Sequence, residues 1–229
     1  MSTTRNRGQH HAIAIDGPAA SGKSTVARQL AERLGLVMVN SGAMYRAVTW
    51  EVVRRGVNPA DAAAVVAMLG ELDVRCGVKD GHSTITIDGV DPDAELRSDA
   101  VNAAVSAVSA VPEVRQLLVA KQRELLEAGD LVMEGRDIGS VVFPDTPFKF
   151  YIDASEEVRR RRRAAEGQKD EVAKRDRQDS QRRTSPLRIA DGAVVIDSSN
   201  LDIGEVVERA LKGLRDRGWF QGKAEEAGS

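Results

Sequence analysis

One cysteine, Cys76, occurs in 229 residues. A single thiol rules out an internal disulfide framework and a cysteine-only zinc site, and it suits a reducing cytosol. No apolar run approaches the roughly 20 residues that a membrane helix needs, so no membrane partner is expected. Neither charge sign dominates: 33 Lys and Arg face 35 Asp and Glu, a net charge of −2. Overall charge therefore gives no case for coating nucleic acid or an anionic surface, and any basic chemistry must be local. Histidine is scarce, with His10 and His11 in a polar lead and His82 in a turn; none of the three is expected as a ligand. The lead itself lacks the apolar stretch of a secretory signal, and the expectation is a cytoplasmic protein with flexible termini at 1–11 and 221–229. What is present, 41% hydrophobic and 30% charged residues, is ordinary globular material for one sizeable core.

The segment Ala12-Ile13-Ala14-Ile15 ends at Asp16 and Gly17, and Val26, Leu30 and Leu34 then recur at helical spacing. The chain thus opens as strand, glycine loop and helix. Short apolar runs return at Leu36–Val39, Leu131–Met133, Lys149–Ile152 and Ala193–Ile196, most of them separated by helical stretches. The expected fold class is α/β, with a central parallel sheet covered by helices on both faces. One region breaks the alternation. Leu72–Cys76 and Thr84–Ile87 are strand-like and punctuated by Asp80-Gly81 and Asp88-Gly89, while Ala100–Ala110 is rich in Ala and Val and suits a packed helix. Residues 71–111 are expected as an inserted lobe, and 12–70 with 112–220 as a discontinuous core.

Gly17-Pro18-Ala19-Ala20-Ser21-Gly22-Lys23-Ser24, followed by Thr25, satisfies G-x-x-x-x-G-K-[ST] between a strand and a helix. That context separates a phosphate loop from a chance match. Glycines let consecutive backbone N–H groups curl inward, and the following helix adds its positive end, so phosphate oxygens can accept from both. Lys23 is expected to bridge the β- and γ-phosphates of ATP and the Ser24 hydroxyl to hold Mg²⁺. The motif indicates a nucleoside triphosphate and leaves open a switch GTPase, a motor ATPase or a small-molecule kinase. The absence of N-K-x-D argues against the first; the short chain argues against the second. A kinase needs a second anion site facing the loop.

Three further segments supply candidates for it. Ser41-Gly42-Ala43-Met44-Tyr45-Arg46 follows the second strand; Glu134-Gly135-Arg136-Asp137-Ile138-Gly139-Ser140 follows the third core strand; Lys174-Arg175-Asp176, Asp179, Arg182 and Ser185-Pro186-Leu187 come later. Together with the phosphate loop, these ordered segments resemble the motifs of bacterial cytidylate kinases, P-loop kinases that phosphorylate CMP and dCMP. The resemblance spans about Ile13 to Leu187. It implies that residues 71–111 form a CMP-binding lobe, that the protein is a monomer acting on small-molecule substrates, and that nucleic acid is no partner.

The resemblance also implies roles. Residues matching Ser41, Arg115, Asp137 and Arg182 line the cytosine pocket. Those types suit a base that offers an amine donor and two acceptors, since a carboxylate or hydroxyl takes the amine and cations meet the rest. Uracil would set a carbonyl against Asp137, so cytosine is favoured. Ser106, Arg175 and Asp179 lie near the ribose, and Arg46 and Arg136 clamp the acceptor phosphate, which Arg can grip bidentately. Tyr45 packs beside the base or serves as a wall. Glu134, at its strand end, orients Mg²⁺ through water.

Five consecutive arginines, Arg159 to Arg163, open a segment (156–183) too poor in apolar residues for core. Ser155, Glu156 and Glu157 make a helix start, on which Arg159, Arg162 and Arg163 share a face. Without context such a run is a solvated face. In the family, matching arginines begin a lid, so Arg159 and Arg163 are expected to reach the transferring phosphoryl group together with Lys23 and Arg136, while Arg160 and Arg161 face solvent. An RNA-associated module is the contrasting reading, disfavoured by the missing aromatic interleaving.

Overall fold

The computed structural model describes residues 10–165 and 187–220. Expectations for Arg175, Asp179 and Arg182, for the lid (156–183) beyond residue 165, for Ser185 and Pro186, and for most of the two termini lie outside the described residues.

Strand β1 (Ala12–Asp16) is buried at every position. It lies between two parallel partners, β5 (Leu131–Gly135) and β6 (Lys149–Asp153). A strand covered on both faces cannot alternate apolar with polar, which is why AIAI reads as a continuous apolar run. Helix α1 (Lys23–Leu34) follows the phosphate loop and stops at Gly35, whose φ of 63° ends the helix in the left-handed region. Strand β2 (Val37–Asn40) leads into α2 (Ser41–Arg54), where the Asn40 side chain accepts from the Ala43 N–H. After α3 (Ala62–Leu69) come β3 (Val74–Lys79) and β4 (His82–Ile87). Asp80 and Gly81, both with positive φ, make the two-residue turn between them. Helices α4 (Asp99–Val108) and α5 (Pro112–Glu124) precede β5. Then come β6, α6 (Glu156–Ala165), β7 (Val194–Asp197) and α7 (Ile203–Asp216), the last opened by a capping box between Asp202 and Glu205.

The seven strands of the described sheet run in the order β3-β4-β2-β5-β1-β6-β7. Every neighbouring pair is parallel except the β3–β4 hairpin. β4 joins β2 through the Met38–His82 pair. Residues 71–111 therefore divide in two. Their first half lengthens the central sheet, and their second half contributes α4, which packs on α2.

Each face of the sheet has its own core. On one, Met44, Val48 and Val52 of α2 meet Val101 and Val105 of α4 and Val114 and Leu118 of α5. On the other, Val26 and Leu30 of α1 meet Val206, Ala210 and Leu214 of α7, with Phe150 and Trp219 among them. A fully buried leucine such as Leu118 contributes about 2 kcal/mol by leaving water. Both cores anchor the carboxyl ends of β1, β2 and β5 side by side, the edge at which open parallel sheets bind ligands.

Candidate active site

At that edge the loop from Gly17 to Gly22 turns back over the strands. Gly17 has a φ of 155°, and a Cβ placed on it would stand 2.1 Å from the Ile152 carbonyl oxygen. No side chain fits between the loop and β6. Gly17→Ala is therefore expected to lower the melting temperature and abolish ATP-dependent turnover together, as read by circular dichroism and by ADP release; wild-type values for both would contradict the close approach. Gly22, with φ 90°, is the left-handed residue that sends the chain into α1. Lys23 is buried, its Nζ donating to the Pro18 carbonyl at 3.1 Å and lying 3.9 Å from Glu134. The Ser24 hydroxyl donates to the other oxygen of Glu134 at 2.9 Å.

Ser24 and Glu134 thus set a hydroxyl and a carboxylate against each other beside the loop. Hard oxygen donors, few in number and adjacent to a phosphate site, are what Mg²⁺ takes from proteins, the remainder coming from water and substrate phosphates. The donor set fits that ion. Among the described residues no group of three or more His, Cys, Asp or Glu is arranged to hold a metal by protein ligands alone.

A cleft of about 580 Å³ opens from the phosphate loop. Lys23, Ser24 and Thr25 line one end, and Ser41, Tyr45, Arg46, Ser106, Arg115, Arg136, Asp137 and Glu134 line the remainder. All expected acceptor residues within the described chain are brought into this one cleft. At its deep end Arg115 donates through Nη2 to Asp137, and both are nearly inaccessible, at 4% and 5% exposure. Two ionised groups removed from water need each other, and the pair is retained here with the Tyr45 ring 5.3 Å from the Arg115 guanidinium carbon. Ser41 donates to the Glu134 carbonyl at 2.7 Å, joining the start of α2 to the end of β5. Arg46 reaches across to α4, donating to Leu96 O and to Asn102 Oδ1, each at 2.8 Å. Ser106 is half-buried on α4.

The arginine helix divides by direction. Arg163 lines the cleft. Arg159 does not: it is buried, donating from Nε to Ala154 O at 2.9 Å and from Nη1 to Ala19 O at 3.4 Å. Its guanidinium thus sits against a carbonyl of the phosphate loop. Arg162 does likewise, donating to Ser21 O at 3.2 Å and to Ser198 Oγ and O at 3.0 and 2.8 Å. Arg160 and Arg161 are exposed. Of the loop residues, Gly17, Pro18 and Ser21 lie outside the cleft lining, while Ala19, Ala20 and Gly22 line it.

Several residues that hold the site carry no motif signal. Arg162 and Ser198 brace the loop, Asn102 anchors Arg46, and Arg97 and Asp93 line the acceptor wall. Asp16, at the end of β1, accepts from the N–H groups of Ile138 and Gly139, each at 2.8 Å. Burial pushes its pKa up to about 7; the two backbone N–H groups oppose that shift and nearby Asp137 adds to it. Its one available signal is a charged residue closing an otherwise apolar strand. Burial pushes the Cys76 thiol up to about 11, which disfavours its thiolate at neutral pH.

Comparison with known proteins adds a family to this geometry. A family model described as cytidylate kinase matches residues 13–216. A cytidylate kinase of Nocardia farcinica is 48% identical over 208 residues, 86% of this chain and 90% of that protein. One from Caldanaerobacter subterraneus is 44% identical over 214 residues, covering 89% and 94%. In a Synechococcus bifunctional pantoate ligase/cytidylate kinase, 89% of this chain matches 42% of the longer protein at 43% identity. Among solved structures, a gluconokinase from Sinorhizobium meliloti has a TM-score of 0.50 at 17% identity, covering 94% of this chain and 99% of that one, a likeness of fold.

Proposed function

The chain belongs to the cytidylate kinase family, and from that premise we propose that it transfers the γ-phosphoryl group of ATP to CMP or dCMP, releasing ADP and the corresponding diphosphate. The observation that supports this most is the single cleft that carries the Lys23–Ser24 phosphate loop at one end and the Arg115–Asp137 pair at the other.

The two substrates bring roughly six negative charges together, about two of them on the acceptor phosphate. Repulsion is the main obstacle. Lys23 meets it at the donor phosphates, Arg46 and Arg136 at the acceptor phosphate, and Arg163 from the side of α6. Transfer needs no side-chain nucleophile, because a loose phosphoryl transition state depends on alignment and opposing charge. The acceptor oxygen attacks the γ-phosphorus in line as the bond to the β-bridging oxygen breaks, and no phosphoenzyme forms. Mg²⁺, held by Ser24 and through water by Glu134, would neutralise the β- and γ-oxygens. Asp137 and Ser41 accept from the cytosine amine, with Arg115 donating to the ring acceptors. Arg182, Arg175 and Asp179 lie outside the described residues; the family resemblance assigns Arg182 to the base, and Arg175 and Asp179 with Ser106 to the ribose. Within residues 71–111 the second half, from Asp93 to Ser109, is the acceptor-binding part of a monomer working in the cytoplasm; no described helix is long and apolar enough by itself to cross a membrane.

ADP release by the purified protein, measured with CMP, dCMP, UMP, AMP and GMP in turn, tests this directly. CMP and dCMP are expected to be the preferred acceptors, and EDTA to stop turnover until Mg²⁺ is restored. Equal rates with all five acceptors would overturn the substrate assignment.

A further inference from the structure

A carboxylate at position 16 is an expensive choice. The other four residues of β1 are apolar and inaccessible, and Asp16 itself is 3% exposed. Burying an ionised carboxyl without partners costs far more than burying an alanine or valine there. Its partners are specific. The two oxygens accept separately from consecutive N–H groups, Ile138 and Gly139, the first residues of the π-type turn Ile138–Val142. These are N-terminal N–H groups that the turn leaves without an internal acceptor, and a charged acceptor is their strongest complement.

Asp16 also stands where two segments meet. The next residue, Gly17, begins the phosphate loop, pinned by its approach to Ile152. Across the sheet, Asp16 is the register partner of Gly135, from which the chain runs through Arg136 and Asp137 to Ile138. Gly135 is as tightly placed, since a Cβ there would meet Ser41 Oγ at 2.5 Å and Ile138 Cδ1 at 2.7 Å. Arg136 and Asp137 are thereby held between a fixed strand end and a turn whose first two N–H groups are taken by Asp16, while Arg123 of α5 donates to the Val141 and Val142 carbonyls at its far end.

We propose that Asp16 is a positioning residue for the acceptor nucleotide, its carboxylate holding the Ile138–Gly139 turn so that Arg136 and Asp137 keep their aim relative to the phosphate loop. The inference rests on the acceptor reading given above. Asp16 itself lies outside the cleft lining. Its loss therefore acts through Arg136 and Asp137 and leaves the donor side in place.

Asp16→Asn tests it. The amide retains the shape of the carboxylate but presents one oxygen and one NH₂, and the NH₂ must face a backbone N–H. Steady-state kinetics are expected to show KM for the monophosphate raised by about tenfold or more, KM for ATP within about twofold of wild type, and a narrower preference for CMP over UMP. A purely structural role would lower the active fraction or kcat and leave both KM values and the preference unchanged, which would overturn the proposal. Should Asp16→Asn not fold, the unaltered protein gives a second readout. Nuclear magnetic resonance of the Ile138 and Gly139 amides should show slow hydrogen exchange and a shift on adding CMP alone; exchange at the rate of open loops, or no response to CMP, overturns the proposal. If wild type uses another monophosphate, the substrate assignment fails, and the same KM comparison with that acceptor still decides the role of Asp16.

Discussion

Lys23→Ala is expected to reduce kcat with ATP and CMP by about a hundred- to a thousandfold, the range found when one preorganised charge facing a transition state is removed. The loss should fall on kcat more than on KM for CMP, because the acceptor end of the cleft holds no atom of Lys23. Folding should survive. The contacts of Lys23 include a hydrogen bond to Pro18 O at 3.1 Å and a 3.9 Å approach to Glu134. Glu134 keeps the Ser24 hydroxyl at 2.9 Å after the change. The far-ultraviolet dichroism should match wild type, with a modestly lower melting temperature from the partial loss of charge opposite buried Glu134. Normal kcat in a folded Lys23→Ala protein would remove Lys23 from the donor site.

The features legible in the sequence are those whose chemistry lies within a few consecutive residues. A phosphate loop needs glycines, a lysine and a hydroxyl at fixed spacing on one strand–helix junction, and Gly17 to Ser24 supply all of them locally. The alternation of apolar runs with helical stretches likewise carried the parallel sheet, because a strand buried on both faces must be apolar throughout. Placement of the β3–β4 hairpin was not legible. The strands and the Asp80-Gly81 turn are local, but the single Met38–His82 pairing that fastens them to the core sheet depends on which edge is left open. Direction is the other hidden quantity. Helical spacing groups Arg159, Arg162 and Arg163 on one face, but it cannot say that Ala19 O and Ser21 O lie within reach of the first two. Those carbonyls arrive from 140 residues away, carried by the packing of β6 beside β1. Asp16 was silent for the same reason: its partners at 138 and 139 become neighbours only when β5 pairs with β1.

Asp137→Ala should separate acceptor recognition from catalysis, and its effect on stability follows from the same ion pair. The variant leaves Arg115, 4% exposed, facing the Ser109 carbonyl at 3.3 Å and the Tyr45 ring in place of its carboxylate partner. Removing one partner of a buried pair costs about 3–5 kcal/mol. For a chain of this size that corresponds to a fall in melting temperature of roughly ten degrees. Kinetics, measured well below that temperature, should show kcat/KM for CMP lowered by about a hundredfold, the loss expected when a polar site no longer pairs with the group it was built to hold. Slow ATP hydrolysis without an acceptor should change far less, since Lys23 and Ser24 remain. A second substitution distinguishes the two effects. In Asp137→Ala with Arg115→Met the stranded charge is gone, and apolar groups of similar volume can replace a buried pair with little or no net cost. The double variant should therefore regain most of the lost melting temperature while CMP use stays low and the preference for CMP over UMP stays narrow. If the preference instead remains that of wild type in either variant, Asp137 does not read the cytosine amine, and the pair serves only to join α5 to the end of β5.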